Sequence, residues 1–339
     1  MVQSIDDVAR AAGVSTATVS RALRGLSSVK PETRERIERI ALELGYSVSP
    51  TASRLASGRT QTIGLLTPWV NRWFFAHVIE GAQKALHAQG FDALLFSFHE
   101  TPSEPRHPVN AKALRRRVDG LLVLGMQLSQ QEVSDLESLG VPIVFAGPGH
   151  HAHTTVGVDD YALARLVMEH LTGLGHTAIG HLAGLDYDQY PHSPTRGRFR
   201  GWSDGLQSIG VQAPESWATV AEFNRFAGRM AAEELLRANP ELTAIFAATD
   251  SLAIGAMQAV QDHGLVLGQD FSVVGVDDED SSALVGLSTI RQNPEEQGRM
   301  AAELILQALS GQDLPLQVHG DISLVKRSSS GRLQPSKRN

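Results

Sequence analysis

Two rhythms of apolar residues divide the chain. Over the first 45 residues they recur at spacings of three and four: Val8, Ala9, Ala12, Val14, Val19 and Leu23, then Ile37, Ile40, Ala41 and Leu44. That spacing puts a buried stripe on each of three short helices. The helix ends are marked as well. Ser4 can cap the first helix, with Asp6 and Asp7 in its positive first turn, and Gly13 permits a tight turn. Ser15 can cap the second helix, Pro31 fits the first turn of the third, and Gly45 can end it. From residue 62 the rhythm changes. Short apolar runs at 63–66, 93–96, 121–124 and 143–145 are followed by a second series at 179–182, 219–222, 244–248 and 273–276. Amphipathic stretches lie between them, at 77–89 and 130–139, then at 163–173, 199–209, 227–238 and 252–263. Two series of alternating strands and helices predict two α/β units with helices on both sheet faces. The expected fold class is a small all-α helix-turn-helix head plus an α/β core of two doubly wound parallel-sheet subdomains.

Between head and core, residues 49–58 carry helix punctuation of their own: Ser49 as a cap, Pro50 at the first position, Gly58 at the end. A segment that short is below the roughly 12–15 residues at which an isolated helix becomes marginal in water. It reads as a helix that forms only when packed, or as a plain linker. The resulting boundaries are a head at 1–46, a hinge at 47–60, a core at 61–330 and a tail at 331–339. Within the core, one subdomain takes about 61–160 and 291–320, the other about 161–290 and 321–330.

Composition changes this picture in one respect. The net charge of −7 is unusual for a nucleic-acid binder, but it is unevenly spread. Residues 1–60 hold nine Lys and Arg against six acids, and the rest holds twenty-one against thirty-one. A basic head on an acidic body confines attraction for phosphate to one end. At the start of the second helix Ser15, Thr16, Ala17, Thr18, Ser20 and Arg21 present short side chains and one guanidinium, which suits a DNA major groove. The chain has no cysteine, so disulfides and thiolate metal sites are excluded. No apolar run of about 18 residues offers a membrane span, and no secretory signal opens the sequence, so a cytoplasmic protein is expected. No nucleophile elbow, phosphate-binding loop or dinucleotide fingerprint points to an enzyme or a cofactor. His150, His151 and His153 read as a polar loop and His176 and His181 as hydrogen-bonded structural histidines; no metal site is expected. The proline-rich stretch 99–108 delays the next helix to near Val109.

Together these motifs resemble the lactose/galactose repressor family of bacterial transcription regulators. The resemblance is carried by Asp7-Val-Ala-x3-Gly-Val-Ser-x2-Thr-Val-Ser-Arg21, Arg54-Leu55, Ile63-Gly-Leu65, Arg116-Arg-Val-Asp-Gly-Leu-Leu122, Gly175-His176, Asp250-Ser-Leu-Ala-Ile-Gly255, Val273-Val-Gly-Val-Asp-Asp278 and Leu287-Ser-Thr-Ile-Arg-Gln292. It implies a periplasmic-binding-protein-like core and a homodimer on a palindromic double-stranded operator. It also implies a leucine, matched by Leu55, that wedges between base pairs from the minor groove. A small-molecule effector, expected to be a saccharide, would lie between the subdomains. Arg198 and Asp277 match the residues that bracket it, a donor fork and a double acceptor suited to sugar hydroxyls. Phe74, Phe75 and Phe223 match lining positions, though each also reads as core packing, and Thr249 stands at a contact position. Gly147 replaces an aspartate of sugar-binding relatives, and Thr249 an asparagine. The expected function is a repressor of a carbohydrate-use operon released by a sugar. A purine-like corepressor and, more remotely, a solute-binding protein remain as alternatives.

Overall fold

The computed structural model describes residues 4–23, 28–46, 59–98, 106–147, 152–184 and 193–334. In the amino-terminal unit, helices α1 (Ile5–Ala12), α2 (Thr16–Leu23) and α3 (Pro31–Glu43) enclose a small core of Val8, Ala9, Ala12, Val19, Ala22, Val29, Ile37 and Ala41. The caps expected from sequence form. The Ser4 hydroxyl accepts from the Asp7 amide at 3.3 Å, and the Asp7 carboxylate accepts from the Ser4 amide at 3.0 Å. Those Ser4 donors hold the Asp7 carboxyl below its ordinary pKa. Gly13 ends α1 in the left-handed region at φ 66°, which fixes the turn into α2.

The core unit is built on two six-stranded sheets. The first contains β1 (Thr62–Thr67), β2 (Asp92–Ser97), β3 (Gly120–Leu124), β4 (Ile143–Ala146), β5 (Thr154–Gly157) and β11 (Gln317–His319), in the order β11-β5-β4-β3-β1-β2. The second contains β6 (Ile179–Gly184), β7 (Ala218–Ala221), β8 (Ala244–Ala247), β9 (Ser272–Asp277), β10 (Ser288–Arg291) and β12 (Ser323–Val325), in the order β12-β10-β9-β8-β6-β7. The β12 strand runs antiparallel to β10, and the other registered pairs are parallel. The helices are α4 (Trp73–Ala88), α5 (Ala111–Leu114), α6 (Gln130–Glu137), α7 (Asp160–Gly173), α8 (Pro194–Gln207), α9 (Arg225–Ala238), α10 (Asp250–Asp262), α11 (Asp280–Val285) and α12 (Pro294–Leu309). All eight expected strands occur.

Several elements carried no clear pattern. β5, β10, β11 and β12 are three or four residues long, and α11 is a turn and a half. The delayed helix begins at Ala111 rather than near Val109. The Val109 amide donates to Glu132 at 2.9 Å, and Asn110 is the side-chain cap. Arg106 forks onto the same carboxylate at 2.6 and 2.8 Å. Burial pushes Glu132 up, but these donors outweigh it and bring its pKa down to about 2. Residues 331–333, expected as tail, dock on the second lobe: the Leu333 amide donates to Leu174, and the Gly331 carbonyl lies 3.1 Å from His176 Nε2.

The chain returns to the first lobe through α12, which packs on α4. Contact is close because both helices use glycine where they cross. A Cβ on Gly81 would fall 1.9 Å from the Glu295 carbonyl oxygen, and one on Gly298 would fall 2.0 Å from that of Val78. Gly298→Ala is therefore expected to push the helices apart at a cost of roughly 1–3 kcal/mol, read as a lower thermal unfolding midpoint of the core. An unchanged midpoint would show that the crossing has slack.

Candidate functional site

On the head, helix α2 offers its first turns outward. Ser15, Thr16, Ala17 and Arg21 are exposed, while Thr18 and Ser20 are half-buried. Ser15 also secures the start of the helix, since its hydroxyl accepts from the Thr18 amide at 3.2 Å and bonds the Thr18 hydroxyl at 2.9 Å. Val19 and Ala22, fully buried, fix the rotation of the helix, so the other face is the one left to solvent. Leu55 lies outside the described residues.

In the second lobe, a polar cluster forms at the carboxyl ends of the strands, where parallel sheets hold their ligands. Arg198 comes from α8 and is only 6% exposed. Its Nε donates to Asp160 at the start of α7 at 2.8 Å, and its Nη1 donates to the Ala248 carbonyl just beyond β8. Asp277 ends β9 with φ at 124°, and Asp278 follows at φ 60°. Two left-handed non-glycine residues in succession are a strained turn, held here by flanking contacts. The Asp277 carboxylate accepts from the Gln292 amide, and Asp278 is paired with Arg291 and Arg327. Burial raises the Asp277 pKa well above the carboxylate range, and nearby Arg198 opposes only part of that shift. Beneath this turn, buried Asp250 accepts from Ser282, Thr289 and the Glu279 amide. Burial still lifts its pKa to about 7.

The aromatics divide their roles. Phe75 lies over Gly125 beyond the end of β3, where a Cβ would meet its ring at 2.3 Å, and touches Trp69 edge-on at 5.4 Å. Phe74 packs against the first lobe's core. Phe223, after β7, lies over Gly184 at the end of β6 and against the second lobe's core. Thr249 spends its hydroxyl on capping α10, accepting from Leu252 at 3.3 Å. Sequence reasoning passed over Asp160, Gln292 and Arg72. Asp160 and Gln292 have the signal of polar residues at strand-to-helix junctions. The guanidinium of Arg72 lies 3.5 Å over Trp69 and 5.4 Å from Phe223. Among the described residues no cluster suited to a metal ion occurs, and His153 bonds Glu137 at 3.0 Å. No helix among them is long and apolar enough to cross a membrane.

Comparison with known proteins decides what this combination is. Residues 4–49 match the model of bacterial regulatory proteins of the lacI family, and residues 168–330 match that of the periplasmic binding protein-like domain. The chain is 33% identical over 313 residues to the HTH-type transcriptional regulator GalS of Salmonella typhimurium strain LT2, covering 91% of this chain and 90% of that one. The chain belongs to the lacI family. It is a DNA-binding transcriptional regulator and not an enzyme. A second lacI-family relative is the HTH-type transcriptional repressor PurR of Haemophilus influenzae strain PittEE, 29% identical over 326 residues and 95% of each chain. Among solved structures, the Lac repressor dimer bound to operator and the anti-inducer ONPF is similar with a TM-score of 0.84 and 27% identity, covering 98% of this chain and all of that one.

Behind the cluster His181 is fully buried, 5.5 Å from Trp202 and 4.8 Å from Phe246 ring to ring, with Nδ1 2.9 Å from the Phe246 carbonyl. Burial drives its pKa down to about 4. The folded state thus refuses a proton that the unfolded chain accepts near 6.5, and stability from this residue is lost as pH falls from about 6.5 to about 4. The loss is on the order of 3 kcal/mol. His181→Phe should flatten that limb of the pH–stability curve measured by denaturant unfolding. An equal slope in both proteins would mean that His181 does not hold the acid limb.

Proposed function

We propose that this regulator is a dimeric repressor of a carbohydrate-use operon and that a small saccharide, bound between the two lobes of the core, releases it from DNA. The observation that carries the reading is the pairing of donors and acceptors at one place: Arg198 held by Asp160, beside Asp277 held by Gln292. A guanidinium held in place next to a buried carboxyl that favours its neutral form, able to donate as well as accept, suits adjacent hydroxyls. A similar solved structure, the transcriptional regulator CelR in complex with cellobiose (26% identity, TM-score 0.70), supports a sugar. The effector changes the angle between the lobes and with it the spacing of the segments that carry the heads, which biases the population of the DNA-binding form. Leu55 is assigned the minor-groove wedge from its sequence position alone.

An apolar patch on the second lobe supports the dimer. Phe226 and Met230 on α9 are 74% and 49% exposed, and Leu284 on α11 is 88% exposed. Arg225 ties the two helices together by donating to Ser281 at 2.8 Å. Exposed apolar side chains of this size on two neighbouring helices suit a surface that another protein covers, here a second copy. Two copies place two heads on an approximately palindromic operator, one half-site each.

A purine corepressor is the second reading, favoured by the aromatic faces at the carboxyl ends of the strands. The sign of the response separates the two. Operator affinity titrated with a sugar panel and with free purines should fall with a sugar; a rise with a purine would replace the first reading by the second. Arg21→Ala should weaken operator binding by about 1–3 kcal/mol and relax preference at one base pair, read by binding to a set of single-substitution operators. Uniform weakening on every operator would make Arg21 a phosphate contact.

A further inference from the structure

The chain enters β1 through a side-chain clamp. Asp119 stands immediately before β3, and its carboxylate gathers the residues that precede β1. Oδ1 accepts from the Thr60 amide at 2.8 Å and from the Thr60 hydroxyl at 2.9 Å, and Oδ2 accepts from the Gln61 amide at 2.7 Å. The Asp119 amide in turn donates to the Thr62 carbonyl at 2.8 Å. This pairing runs straight on into the sheet, where Ile63 is in register with Gly120. Amide donors aimed at a carboxylate make charge-assisted hydrogen bonds, which are shorter and stronger than neutral ones.

The backbone at the clamp is bent at a cost. Gln61 lies in the left-handed region at φ 48°, and Arg116, three residues before Asp119, lies there at φ 60°. A side-chain-bearing residue in that region is strained and persists only where its surroundings hold it. A plain tether needs neither a strained bend nor three donors brought to one carboxylate. The clamp therefore fixes both the point and the direction at which the chain leaves β1 toward the hinge. It also ties that point to the middle of the first sheet, where Ile63, Leu65, Leu66, Leu121 and Leu122 are fully buried and leave little room to shift.

We propose that Asp119 is a positioning residue for DNA recognition: by ending the linker at Thr60 and Gln61 it sets the half-site spacing that the paired heads accept, which rests on the reading that two copies place two heads on one operator. Without the carboxylate, Thr60 and Gln61 join the linker and add about 7 Å of reach, at roughly 3.3–3.6 Å per residue. A base pair rises about 3.4 Å, so each head gains slack of about two base pairs. An operator selected from random duplex DNA with the wild-type protein supplies the probe, remade with its half-sites moved together or apart by one or two base pairs. Fluorescence anisotropy then reads the affinity of the full-length protein for each spacing. Wild type should lose about tenfold or more at the displaced spacings, because a head that cannot reach its half-site forfeits the gain of joint binding. Asp119→Ala should hold that loss to about threefold or less, since the slack lets both heads engage. Asp119→Asn, which keeps one acceptor, should fall between them and serves in place of alanine should thermal unfolding show that alanine does not fold. A Gly-Ser pair inserted between Gly58 and Arg59 leaves the clamp intact, lengthens the linker directly and should relax the preference as Asp119→Ala does. An unrelaxed preference in the Asp119 variants or in the insertion variant would overturn the proposal. Weakening by one uniform factor at every spacing would overturn it as well, by making the clamp a structural contact alone. A wild type indifferent to spacing would remove the two-head reading and the clamp's role with it. A wild type that discriminates, beside Asp119 variants that discriminate equally, removes the clamp's role and leaves the two heads standing.

Discussion

A guanidinium taken out of water is among the more expensive things a fold can bury, and Arg198 is buried almost completely. The second lobe is arranged to make this tolerable. Asp160 at the start of α7 and the Ala248 carbonyl beyond β8 each accept from it, so one side chain on α8 ties α7 and β8 to the same point. Removing one member of such a buried pair leaves an unmatched charge and costs about 3–5 kcal/mol. The arrangement also places a donor fork beside Asp277, whose own environment favours the neutral form. A ligand that offers both donors and acceptors finds a preset partner for each, without ordering side chains at the moment of binding.

The strained turn at Asp277 and Asp278 belongs to the same constraint. Asp278 is held by Arg291 and Arg327, and the Glu279 amide by Asp250, so the turn is fixed on both sides. Through Arg291 it touches the crossover that leads into α12 and back to the first lobe. Asp277 therefore stands close to a junction between the lobes.

Much of this was legible in the sequence. The three helices of the head follow from period, caps and turn glycine, and eight of the strands follow from apolar runs, because each signal repeats over several residues. Strands β5, β10, β11 and β12 were not legible: each is three or four residues long and mixes polar with apolar residues, as in Ser288-Thr-Ile-Arg291 and Gln317-Val-His319, so no apolar run marks it. Helix α12 begins on Pro294, a good first-turn residue, yet it was not among the amphipathic stretches read from the sequence. In the candidate site, Arg198 and Asp277 were recognisable by family resemblance, but their partners were not. Asp160 and Gln292 lie 38 residues before Arg198 and 15 after Asp277, and only the fold brings them together. Thr249 was legible as a polar residue at the right place; its use as a helix cap is a local alternative that spacing alone does not separate from ligand contact.

The central claim is that the Arg198 cluster controls the DNA affinity of a head elsewhere in the chain. Operator affinity of Arg198→Lys, measured by fluorescence anisotropy with and without a sugar that releases the wild-type protein, tests it most directly. The replacement keeps the buried charge near Asp160 and removes the fork. The account predicts operator binding close to wild type without the sugar and a release curve displaced at least about tenfold to higher sugar concentration, roughly 1.4 kcal/mol of lost contact. Release at the wild-type concentration would contradict it.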